Sequence, residues 1–222
     1  MRPARTTGPD APFFNAPSVV VTMTLILVAA HIARQFVPEG GQYWLFYYLA
    51  LVPERLALMV DGSGHPDAYG FIGLIGASLG HVLLHGDWMH LIMNTAMLLA
   101  LGAPVARRLG SVGFLNIFFV SAVAGAILFF MLRPGDSPPA IGASGGVSGI
   151  MAAALLIMAD PRATFPVLLS PNFLKTSAAF LIINIILALA GPAMLGSAIA
   201  WDAHVGGYIA GALAMAWLAG RQ

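Results

Sequence analysis

Residues 142–160 read GASGGVSGIMAAALLIMAD, and from Ser144 to Ala159 nothing in the run carries a charge. Such a run suits hydrocarbon better than water, and Asp160 with Pro161 ends it. It reads as a helix crossing a bilayer, with Ser144 at its amino-terminal end. Near the other end of the chain, Ala203-His204-Val205-Gly206-Gly207 opens a second apolar run that lasts to Ala219. A polar side chain inside a membrane segment is expensive, and by default it marks function. A serine and a histidine are also the minimal kit for nucleophilic catalysis.

Composition agrees with a lipid environment. Mean hydropathy is +0.86 and charged residues make up 9%, against the roughly 25% expected of a soluble domain. The 222 residues contain no cysteine, which removes disulfides, thiolate nucleophiles and thiolate metal sites together. A net charge of +1 gives no reason to expect a nucleic-acid partner. Residues 1–16 carry Arg2 and Arg5 but no apolar stretch followed by a small-residue cleavage site, and they read as a short cytoplasmic tail rather than a signal peptide.

A helix needs about 20 apolar residues to cross ~30 Å of hydrocarbon. Working outward from 144–159, six runs qualify: roughly Pro17 to Phe36, Trp88 to Val105, Val112 to Leu132, Ser144 to Ala159, Phe173 to Ala190, and Ala203 to Ala219. The breakers between them agree, notably Pro38, Gly110, Pro134 with Gly135, Pro161, and Gly191 with Pro192. Residues 37–87 are too long for a tight connection and too apolar for a plain solvated loop. With Tyr43, Trp44, Phe46, Tyr47 and Tyr48 they read as short helices lying in an outward-facing interface. The expectation is an all-α membrane protein, a six-span bundle over residues 17–222. With a cytoplasmic amino terminus, Arg2, Arg5, Arg107, Arg108, Arg162, Lys175 and Arg221 lie inside and Arg34, Arg55 and Arg133 outside, as the positive-inside rule prefers, and most of the acids, Asp202 among them, lie outside as well.

Depth then groups the polar residues. Counting from Asp160 at 1.5 Å per residue places Ser144 about 24 Å above the inner boundary, and counting from Arg221 places His204 about 25 Å above it. His90 lies about 25 Å up when counted from Arg107, with Asn94 one turn deeper at about 20 Å. Three separate spans thus bring four polar side chains to one layer. In that layer Ser144 is the candidate nucleophile and His204 the candidate base. His90 and Asn94, at i and i+4, are candidate oxyanion donors. No acid is placed to complete a triad, since Asp202 lies two residues from His204 and faces elsewhere, so a dyad is expected. Gly142, Gly145, Gly207 and Gly211 allow close packing of the spans around the site.

Blander readings stand beside these. Gly-Ala-Ser-Gly alone is more often helix packing than a nucleophile, although the shared depth and the distant His204 reverse that balance. His90 with Asn94 could be an interhelical clamp, and His31 and His65 read as interfacial or solvated. His81 and His85 have zinc-ligand spacing but lack the intervening glutamate of a metalloprotease, so no metal is expected.

The three motifs together resemble those of the rhomboid intramembrane serine proteases, of bacterial type. Gly142-Ala143-Ser144-Gly145 resembles the family's nucleophile motif. Ala203 to Gly207 with Gly211 resembles its last span, and His85-Gly86-Asp87-Trp88-Met89-His90-Leu91-Ile92-Met93-Asn94 its second, with His90 and Asn94 in the oxyanion positions. The resemblance implies cleavage of transmembrane protein substrates near the outer end of a span, no cofactor, and a multi-pass protein of a bacterial inner membrane. Departures are Ala106, where many members carry glutamate; the lack of a Trp-Arg pair in the first loop; and Ser148, where some members carry an aromatic residue that stacks on the catalytic histidine. Two rivals remain: a proteolytically inactive relative that binds membrane clients, and a small polar-solute transporter.

Overall fold

The computed structural model describes residues 16–55, 70–133, 138–195 and 199–221. Most of the expected cytoplasmic tail, with Arg2 and Arg5, lies outside the described residues, as does His65. The described elements are helical: α1 (Ser18–Gln35), α2 (Glu39–Leu49), α3 (Gly70–Gly80), α4 (Trp88–Leu132), α5 (Ser144–Ala159), α6 (Pro171–Leu195) and α7 (Trp201–Ala219). Within them Ser18–Gln35, Trp88–Leu132 and Pro171–Ala190 are long and apolar enough to cross a membrane. The molecule is an integral membrane protein built as a helical bundle.

Two of the expected spans are joined in α4, a 45-residue helical stretch broken at Gly110, where φ is +71° and ψ −178°. A left-handed φ of this size suits a residue without a Cβ. The chain folds back on itself there: a methyl group built on Gly102 would lie 3.1 Å from the Phe114 ring. Twelve residues along a straight helix would separate those positions by about 18 Å. The two runs read from the sequence are the arms of this hairpin.

Helix α5 forms the middle of the bundle. Ile150, Ala152, Ala153, Ala154 and Leu156 are fully buried, and the second arm of α4 covers the helix with Phe114, Ile117 and Phe118. Lipid tails are as apolar as leucine, so water exclusion does not drive helices together in a bilayer and close packing must do more of the work. Small residues supply that closeness. The backbone of Gly207 lies against Gly145, and that of Gly211 against Gly149, so α5 and α7 meet backbone to backbone. A methyl group on Gly146 would collide with the Phe118 ring at 2.8 Å.

Helix α6 stands further out. Only 17% of its spanning window is buried, against 39% for α4, and Ile182, Ile183 and Leu189 face outward. It is tied to α7 along one stripe: Phe180 stacks on Tyr208 with centroids 4.2 Å apart, Ser177 shares a 2.8 Å hydrogen bond with the Tyr208 hydroxyl, and Asn184 reaches His204. The turn leading into α6 is closed by Asp160, whose carboxylate accepts from the Arg162 backbone N–H and pairs with its guanidinium. Those donors hold the half-buried Asp160 carboxyl down to about 2.

The first loop is largely helical where it is described, with an extended stretch around Leu51. Leu51 and Ala140 exchange two backbone hydrogen bonds of 2.9 Å, which tie that loop to the segment leading into α5.

Candidate active site

The approach to Ser144 is fixed from three sides. Ala140 is paired with Leu51, and the Gly142 N–H donates to the carbonyl of His81 at 2.8 Å. His81 is itself held by its ring Nδ1, which donates to the Ala77 carbonyl at 2.9 Å. Gly142 then adopts φ +114°, and a methyl group there would sit 2.6 Å from His90 Nε2 and 3.8 Å from Asn94 Nδ2. The bare Cα of Gly142 therefore rests against both sequence-predicted oxyanion residues. Ser144 follows as the first residue of α5, where backbone N–H groups have no helical partner and the helix dipole is positive.

His90 and Asn94 occupy the first turns of α4. Asp87 caps that helix by accepting from the His90 N–H at 2.8 Å, which sets where the His90 ring emerges. Asn94 is 5% exposed, and its Nδ2 has no protein partner among the described residues. A buried amide donor left free is costly, and next to Gly142 it is free to serve an oxygen arriving there.

His204 enters from α7. A methyl group on Gly145 would lie 3.5 Å from the Ala203 carbonyl, and one on Gly207 would lie 2.8 Å from the carbonyl carbon of Gly145. The turn of α7 that carries His204 therefore packs at the level of Ser144 and Gly145. The ring Nδ1 of His204 hydrogen-bonds to Asn184 Oδ1 on α6 at 2.9 Å. Sequence reading did not single out Asn184, although an asparagine between Ile183 and Ile185 is as unusual in an apolar run as a histidine.

Two residues lie differently from expectation. His31, read as interfacial or solvated, is 1% exposed, because the Trp88 ring packs edge-on against it with centroids 4.6 Å apart. Asp202, counted among the outer acids, is also 1% exposed and pairs with Arg133 at 2.5 Å. His85 is fully buried between the His31 and His90 rings, and neither of its nitrogens has a hydrogen-bond partner among the described residues. Among the described residues no three His, Asp or Glu side chains are grouped as a metal ion would require.

Helices that cross a membrane, with histidine, asparagine and serine gathered at the amino terminus of the central one, define a class of helical membrane protein with a polar interior site. The chain belongs to the rhomboid family: residues 77–222 match the Rhomboid domain. It is 34% identical over 193 residues to "Rhomboid protease GluP" of Bacillus subtilis, covering 81% of this chain and 36% of that one. It is also 26% identical over 125 residues to "Rhomboid-like protease 1" of Toxoplasma gondii, covering 53% and 37%, and 27% identical over 101 residues to "Rhomboid-like protease 3" of the same organism, covering 43% and 38%. The chain thus spans less than two-fifths of the length of each of these relatives.

Proposed function

We propose that this protein is an intramembrane serine endopeptidase, a six-span bundle with a cytoplasmic amino terminus that cuts peptide bonds in transmembrane segments of other membrane proteins. The observation that carries the reading is the position of Ser144, with Gly142 against His90 and Asn94 on one side and Gly145 against the His204 turn on the other. Membership of a family whose matched relatives are named proteases supports it.

The residues have a complete division of labour. Ser144 Oγ attacks the scissile carbonyl carbon while His204 Nε2 takes the hydroxyl proton. The carbonyl oxygen becomes an oxyanion that accepts hydrogen bonds from Asn94 Nδ2, His90 and the amides at the start of α5. The C–N bond then breaks, and His204 returns its proton to the departing amine, leaving an ester on Ser144. Water attacks that ester, His204 takes a proton from the water, and the carboxyl product leaves as Ser144 recovers its hydrogen. A bound helix must first unwind locally, because its carbonyls are committed to its own hydrogen bonds.

Intact-mass analysis of protein treated with a fluorophosphonate probe tests the reading. The wild type is expected to gain one adduct, and Ser144→Ala and His204→Ala none, with both variants still folded. A wild type that takes no label under conditions where an active rhomboid does would move the assignment to an inactive client-binding protein.

A further inference from the structure

We infer that Asn184, on α6, is a positioning residue that fixes His204 as the Nδ1–H tautomer and leaves Nε2 as the bare nitrogen facing the site. The inference rests on the reading of His204 as the base.

The hydrogen-bond pattern decides the tautomer. The Asn184 amide nitrogen donates to the Phe180 carbonyl at 2.9 Å, and a carbonyl oxygen only accepts. That contact settles which end of the amide is nitrogen, a choice that must come from the surrounding network. Asn184 Oδ1 is then the atom 2.9 Å from His204 Nδ1. An amide oxygen cannot donate, so Nδ1 carries the hydrogen. A neutral imidazole has one N–H, and Nε2 therefore keeps its lone pair.

The neighbourhood leaves this task to Asn184. Asp202, the acid nearest in sequence, accepts from Arg133 and from the Ala203 N–H. Ser148, one turn beyond Ser144, is too small to stack on the imidazole. Asn184 itself is 4% exposed, and it orients the ring without placing a second charge in a low-dielectric interior. Its backbone is steadied one turn away by the stacking of Phe180 on Tyr208.

Two readouts test this on the full chain in detergent. Nitrogen NMR of histidine-labelled protein, with the His204 signal assigned by its loss in His204→Ala, reports the tautomer directly. Fluorophosphonate labelling kinetics report the reactivity of Ser144. The wild type is expected to show His204 protonated on Nδ1. Asn184→Leu, similar in size but without the acceptor, is expected to lose that single signature and to label about tenfold or more slowly, a larger loss than its lowered unfolding temperature explains. Asn184→Asp retains an acceptor oxygen and is expected to recover labelling to within about threefold of wild type. Labelling of Asn184→Leu at the wild-type rate would overturn the inference, as would a wild-type His204 protonated on Nε2. If the leucine variant does not fold, the wild-type tautomer and the aspartate variant decide the matter. An Nδ1–H His204 in a protein that takes no label overturns the serine-hydrolase reading and leaves the Asn184 contact standing, whereas an Nε2–H His204 in a protein that labels does the reverse.

Discussion

At Gly142 two independent constraints meet on one residue. Its φ of +114° is strained for any side chain, and the space where a Cβ would sit is occupied by the His90 ring. Gly142→Ala must therefore push His90 aside or turn the peptide that leads to Ser144. Losing one oxyanion donor lowers turnover by roughly 10²–10³-fold, and labelling of this variant is expected to fall on that scale. The fold should survive, because Leu51 and His81 still pin the neighbouring backbone. A labelling rate within a few-fold of wild type would show that the His90 side of the site does not act on the reaction. Ser144, His90 and Asn94 were legible in the sequence because polar residues are rare in apolar runs and a shared depth groups them. Asn184 satisfied the same rarity test. What the chain could not reveal was its partner, since contact with His204 depends on how α6 is rotated against α7. The burial of His31 was hidden for the same reason, being the work of Trp88 on another helix.

Helices in this bundle are placed by their glycines. Gly207→Ala adds a methyl group into the backbone of Gly145, where nothing flexible is available to yield. Overpacking of this kind costs about 1–3 kcal/mol, and here it also separates the two helices that carry Ser144 and His204. Thermal unfolding in detergent should fall by several degrees, and fluorophosphonate labelling should fall further than stability alone explains. Gly40→Ala makes the contrast, since a methyl group on Gly40 in α2 meets nothing within 4 Å among the described residues. That change should leave unfolding within about 1 kcal/mol of wild type or raise it slightly, because alanine restricts the unfolded chain. Equal effects at the two positions would remove close packing as the cause. The Gly110 break was legible because glycine punctuates apolar runs, and its non-helical dihedrals with the approach of Phe114 to Gly102 show that the chain reverses there.

Across the whole molecule, Arg133 at the end of α4 and Asp202 at the start of α7 join the ends of two helices on one side of the bundle. The carboxylate is 1% exposed and the guanidinium side chain 21%, so the pair is mostly shielded from water. Removing one partner of a buried pair costs about 3–5 kcal/mol, and replacing both by apolar residues often restores much of that loss. Arg133→Ala is expected to approach the lower end of this range, given the partial exposure of the arginine, and Arg133→Met with Asp202→Leu should recover most of it in reversible unfolding. A double variant no better than Arg133→Ala would mean that the charge pair is not what holds these ends together. The pairing escaped sequence reading because positions 133 and 202 were read as separate outer charges.

The meeting of Gly145 with Gly207 also has a consequence in time. The two residues lie 62 positions apart, 207 minus 145, and at roughly 5–20 residues per second a ribosome needs on the order of 3–12 s to make the intervening chain. During that interval α5 is already available to enter the bilayer while α7 is still unmade, so Ser144 sits among nascent helices before His204 exists. On the proposed reading of Ser144 and His204 as a dyad, synthesis order keeps the newborn protein chemically silent until α7 arrives.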